Sequence, residues 1–219
     1  MRKKTRDTID AVDADLIWSA ACTAYRLNNG YLKEPEVIGD QVVRPTNREL
    51  VRRCLENLSL ITDADREQAL QCRRQLASAV TLQALKAELS EWARITARVC
   101  ELDTITSNYD LSVITAMPQS YAKTLKKESV DARLARCDQA HVGQLKDKVE
   151  LVVEILRNNY SAKYNTWFVS GITNNNLAVF FAYREQLKSD QTLKIRGTVK
   201  RLVDRATQLN RVKVMEEVS

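Results

Sequence analysis

Seven of the thirteen aromatic residues in this chain fall between Tyr160 and Tyr183, immediately ahead of its most basic stretch. From Arg184 to Lys213 there are nine Lys or Arg against three Asp or Glu, an excess of +6 that equals the formal net charge of all 219 residues. Rings beside cations are the materials for holding single-stranded nucleic acid: bases stack on the rings, and phosphates follow the charge with release of counterions. A solvated charged face is the plainer reading of any such run. The alternation also assigns directions. In Leu193–Lys200 apolar residues alternate with Lys, Arg and Thr, so Lys194, Arg196, Thr198 and Lys200 share one face of a strand, and Arg211 and Lys213 share one face of the next. Trp167 and Val169 face one way and Phe168, Ser170 and Ile172 the other, so one of Trp167 and Phe168 must point away from a core. Phe180 likewise opposes Phe181 and Tyr183.

Core packing is the competing role for every ring, with Phe favoured inside and Tyr or Trp at the surface. On that preference Tyr164, Trp167 and Tyr183 are the stacking candidates. Lys194, Arg196, Lys200, Arg211 and Lys213 are the candidates for a groove along the phosphates. Gln208 and Asn210 sit where they could touch bases, or simply line the outside of an edge strand.

Catalysis finds little support. His141 is the single histidine, which excludes a multi-histidine metal centre and makes any Ser-His-Asp triad depend on that one residue. No phosphate-binding glycine motif is present, and no cofactor is expected. Asp63, Asp65 and Glu67 cluster at a helix start, where carboxylates favour the helix dipole. Five widely spaced cysteines, with no C-x-x-C, argue against a zinc site or disulfide framework and imply reduced thiols in a reducing compartment. The basic Met1–Lys4 start is followed by Asp7, Asp10, Asp13 and Asp15 rather than an apolar run, and no segment approaches a membrane span. The expectation is a cytoplasmic, non-catalytic protein with no membrane partner.

Two kinds of element must position these residues. Up to about residue 140 the apolar spacing is helical: a stripe from Asp7 to Asn28 through Ile9, Val12 and Leu16, a loop over 31–45 with a short extended piece at Val42–Val43, and a helix opened by the Thr46-x-x-Glu49 capping box. A long helix from Asp63 to about Leu89 would bury Leu70, Ala77, Val80, Leu85 and Leu89, and the next would bury Trp92, Ile95 and Val99. Beyond Thr104 the signal weakens, Pro118 punctuates it, and a charged helix over 119–138 presents Lys123, Lys126 and Lys127. From 141 on the period becomes two: strands over 146–156, 164–173, 177–183, 193–203 and 207–215, with Asn158–Asn159 starting the first turn and Gly197 marking a bulge or bend. The fold expected is α+β, a helical bundle (1–140) followed by a five-stranded OB-like β-barrel (141–219). A plain five-stranded meander or an SH3-like barrel would give similar periodicity.

Ile195–Lys200, Thr207–Lys213, Tyr160-x-x-Lys163-Tyr164-x-x-Trp167-Phe168 and Ala178–Phe181 together resemble the OB-like modules of tailed-phage proteins from replication and recombination regions. Asn29-Gly30-Tyr31 and Pro45–Leu50 carry a weaker likeness. The resemblance implies a phage protein that binds single-stranded DNA or RNA, with the host cytoplasm as its setting. The helices would serve a protein partner or self-association. The alternative is an adaptor that docks on a replication, transcription or host-defence complex without touching nucleic acid, because a barrel fold does not by itself specify a ligand.

Overall fold

A computed structural model describes residues 8–86 and 88–218; the Met1–Lys4 start and Asp7 lie outside them. The chain is mixed α+β, with helices and two small sheets in its first part and a closed five-stranded barrel in its second. It divides into two compact units, one ending at Leu125 and the other beginning at Lys126.

The first unit is built round α1 (Ala14–Leu27), whose residues Ala14, Ile17, Trp18, Ala20, Ala21, Cys22 and Ala24 are all buried. A helix apolar on nearly every side must lie in the middle of its neighbours. Over Thr8–Asp13 the expected helix is replaced by a strand, β1, which pairs antiparallel with β4 (Thr104–Ser107). The helix begins only where Asp13 accepts a hydrogen bond from the Leu16 N–H at 3.0 Å. An irregularity in the β1 register between Thr8 and Val12 lets Ile9 and Val12, three residues apart, both pack on the core. That spacing fits a helix equally well.

The stretch expected as a loop is a hairpin, β2 (Glu36–Ile38) and β3 (Gln41–Arg44), turned at Gly39 with φ of 61°. Helix α2 (Asn47–Glu56) starts as the capping box predicts, with Thr46 Oγ1 accepting the Glu49 N–H at 3.1 Å. Helix α3 (Asp63–Lys86) buries Asp65, Ala69, Cys72 and Leu76, while Leu70 and Leu85 are exposed. The buried row carries small residues because it lies against the alanine-rich α1, and Leu70 is turned about 100° away from it. Helix α4 (Glu91–Glu101) likewise buries Ala93, Thr96, Val99 and Cys100 and leaves Trp92 outside. Helix α5 (Asn108–Ala135) runs through Pro118, giving up one backbone bond while Leu111, Ile114, Met117 and Tyr121 are buried in the first unit.

The second unit holds the last turns of α5 and five strands: β5 (Lys148–Ser161), β6 (Thr166–Thr173), β7 (Ala178–Tyr183), β8 (Thr192–Val203) and β9 (Ala206–Val218). They close in the order β5-β6-β7-β9-β8, antiparallel throughout except for the parallel pair β7–β9. Val153, Ile155, Val169, Val179, Phe181, Leu193, Ile195, Val199 and Leu209 fill the interior. β5 continues past Asn158–Asn159 because a bulge between Ile155 and Arg157 bends it, so that one strand pairs with β8 over its first half and with β6 over its second. Gly171 makes the bend possible: a Cβ there would stand 2.5 Å from the Glu154 carbonyl oxygen. Gly197 sits at a second irregularity, opposite Arg211, which adopts a φ of 51°.

Candidate nucleic-acid interface

All of the net charge lies in the barrel unit. Residues 126–219 hold seventeen Lys or Arg and eleven Asp or Glu, an excess of +6. The outward side chains of the barrel therefore decide what it can bind, and strand parity sorts them.

Trp167 and Tyr183 turn inward and pack against the barrel core, directly opposite one another across β6 and β7. Tyr160 pairs with Trp167 from β5, with ring centroids 5.2 Å apart, and its hydroxyl donates to Asn165 Oδ1 at 2.7 Å. These three rings form one cross-strand row at the β5–β6 end, with Trp167 and Tyr183 packed on the core and Tyr160, 53% exposed, at its open edge. The outward member of the Trp167–Phe168 pair is Phe168, 41% exposed. Tyr164, on the turn between β5 and β6, is 62% exposed and meets Phe168 edge to face at 6.0 Å. Lys163 places its Nζ 5.3 Å from the centre of the Tyr164 ring.

Below these rings a cleft of about 270 Å³ opens on the outside of β6 and β7, lined by Phe168, Ser170, Ala178 and Phe180 and bounded by Leu134 and Arg205. Arg205 stands in the β8–β9 turn and donates to the Ala135 carbonyl at 3.4 Å. The last turns of α5 are fixed beside it by two ion pairs to the outer face of β5. Arg133 reaches Glu154 through two nitrogens at 2.8 and 2.6 Å, and Arg157 bonds Asp131. Hydrogen bonding from Arg133 holds the Glu154 carboxyl below its ordinary range.

The predicted cations face outward from β8 and β9, with Lys148 of β5 joining them opposite Thr198. Arg196 donates to Glu150 Oε1 from Nε at 2.8 Å, and Lys194 lies 3.3 Å from Glu216. Lys148, Lys200, Arg211 and Lys213 are exposed and have no carboxylate partner among the described residues. Lys213 sits directly across from Arg196. Strand order and register separate this group from the rings: β8 pairs with β5 and β9 only, and Lys148, Arg211 and Lys213 lie outside the parts of β5 (153–161) and β9 (206–209) that pair with β6 and β7. The structure thus brings Tyr164 together with Phe168 and Lys163, and Arg196 with Lys213. It does not bring Trp167 or Tyr183 out to either group.

Sequence reasoning passed over Phe168, Phe180, Tyr160, Lys163 and Arg205. Parity already paired Phe168 against Trp167; the inward run Val169, Gly171, Thr173 on the Trp167 side is the signal that resolves which one is outside. Among the described residues no helix is long and apolar enough to cross a membrane. No protein-family model matches the chain, and no curated protein or solved structure is detectably similar to it.

Proposed function

We propose that the protein binds single-stranded nucleic acid through an OB-like barrel and is a binding protein rather than an enzyme. The closed order in which the third barrel strand runs parallel to the fifth, with all other neighbours antiparallel, supports the OB-like reading. In that fold the second and third strands and the loops after the first and fourth strands carry the ligand. Here those positions are β6, β7, the turn bearing Lys163 and Tyr164, and the turn bearing Arg205. The observation that carries the proposal is the outward Phe168 and Phe180 on these two strands, with Arg205 lining the cleft they form and Lys163 over the Tyr164 ring that meets Phe168. Bases stack on such rings whatever their sequence, and the excess of +6 attracts the phosphates. The likeness of residues 195–213 to tailed-phage modules points the same way and suggests replication, recombination or repair as the setting.

The test is fluorescence anisotropy of a labelled oligothymidine across a salt series. Binding that weakens steeply with salt, and about tenfold or more on Phe168→Ala with Tyr164→Ala, is the expected result. No binding at low salt would overturn it. That outcome would leave the adaptor reading, for which the exposed Val37, Ile38, Val42 and Val43 of the β2–β3 hairpin offer a protein-facing surface.

A further inference from the structure

The aromatic cleft and the free cations occupy different strands of one closed barrel. Phe168 and Phe180 project from β6 and β7, whereas Lys148, Lys200, Arg211 and Lys213 project from β5, β8 and β9 around Arg196. A single strand lying in the cleft and running on over Tyr164 has its charge met by Arg205 in the cleft lining and by Lys163 beside the Tyr164 ring. It leaves the β5–β8–β9 face free. That face carries no outward ring on β8, only Lys194, Arg196, Thr198 and Lys200, so it suits a phosphate backbone and not bases.

Its construction carries a further mark. Arg211 holds a φ of 51°, a conformation that glycine adopts freely and an arginine adopts only at a cost. A bulge at that point would be satisfied more cheaply by Gly, yet the position bears a guanidinium, exposed and without a carboxylate partner among the described residues. Two carboxylates, Glu150 and Glu216, are engaged by Arg196 and Lys194, and four cations remain unopposed. Charge complementarity selects a polyanion for this surface.

We propose that the barrel grips two single strands at once, one by stacking on β6–β7 and one by its phosphates on β5–β8–β9. This rests on the binding reading above. An oligothymidine immobilised on beads is loaded with the full-length protein, washed, and offered a second, fluorescent oligothymidine that cannot pair with the first. Retention of the second strand is expected with the wild type. The variant Arg211→Gly with Lys200→Gln and Lys213→Gln removes three of the six excess charges and so weakens the first strand as well, but in low salt its stacking on β6–β7 should still hold it, and the protein's unfolding midpoint should stay because glycine suits the bulge. The same variant should release the second strand, whose salt slope falls by about one for each phosphate contact removed.

Failure of the wild type to retain the second strand, with the first one bound, overturns the two-strand proposal and leaves single-strand binding standing. Undiminished retention by the variant also overturns it, since bridging would then come from two protein molecules through their aromatic faces. Absence of any bound strand overturns both readings.

Discussion

The two units treat charge in opposite ways. Subtracting the seventeen cations and eleven carboxylates of residues 126–219 from the chain's thirty-four and twenty-eight leaves seventeen of each in the first unit. There the most buried carboxylate is consumed by structure: Asp65 accepts from Arg26 Nε and Nη2 at 2.9 and 2.8 Å, from Thr23 Oγ1 at 3.0 Å, and from the Thr62 N–H and hydroxyl at 3.0 and 2.8 Å. In the barrel unit the exposed pairs leave cations over. Balanced charge buried in a helical core specifies how helices meet, whereas unbalanced charge on a sheet surface makes a field that a ligand can feel. Thiols do not divide this way: burial pushes Cys22 up to about 12 and Cys100 up to about 11 in the first unit, and raises Cys137 in the second.

The largest expected effect breaks the first side of this contrast. Asp65→Ala should cost about 3–5 kcal/mol, because Arg26, Thr23 and Thr62 all lose a shared partner. Urea unfolding of the full chain checks it; a loss below about 1 kcal/mol would mean the network is ornamental. The same group sets an acid limit. Burial opposes the Asp65 carboxylate, but the hydrogen bonds from Arg26, Thr62 and Thr23 outweigh it and hold its pKa well below the ordinary value. A depressed carboxyl contributes fully above its unfolded value of about 3.9 and loses that contribution as pH falls towards the folded one. Stability of the wild type should therefore decline below about pH 4 more steeply than that of Asp65→Ala.

Next in size is a change in the barrel that touches no charge. Gly171→Ala puts a methyl 2.5 Å from the Glu154 carbonyl and the Val153 side chain, at the bend that lets β5 serve two neighbours. The expected loss is about 3 kcal/mol, and a circular-dichroism melt should show it. Gly197→Ala meets only the tip of Val212 at 3.2 Å and should be much milder. Equal losses at the two glycines would show that the β5 bend is not the critical approach.

These positions also show what is legible without coordinates. Strand period is local, so five barrel strands can be read from residue 146 onward, but the closure of β5 onto β8 cannot, because a plain meander or an SH3-like barrel has the same period. The β1–β4 pair is not legible, because Ile9, Val12 and Leu16 satisfy a helix as well as a bulged strand, and the partner that decides is Ile105, far along the chain. In α3, leucine hydrophobicity points to Leu70 and Leu85, while close approach to α1 selects Ala69 and Cys72 instead. At the candidate site, parity establishes that Trp167 and Phe168 diverge, and the general preference of Trp for surfaces favours Trp167. The interior place of Trp167 comes from its row with Tyr160 and Tyr183, a cross-strand relation that no single strand reveals. Likewise Arg196 reads as a free cation until β5 brings Glu150 beside it.

That pair supplies the smallest and most discriminating test. Glu150 and Arg196 are both about half exposed, so Glu150→Gln should shift stability by no more than about 0.5 kcal/mol. It returns one cation to the face that already holds Lys148, Lys200, Arg211 and Lys213. Affinity for the second oligothymidine in the bead assay at low salt should rise several-fold, and its salt slope should steepen by about one. Glu49→Gln, which breaks the comparable exposed pair with Arg53 in the first unit, makes the same change in total charge. If net charge alone governs binding, the two variants gain equally; if the barrel surface governs it, only Glu150→Gln gains.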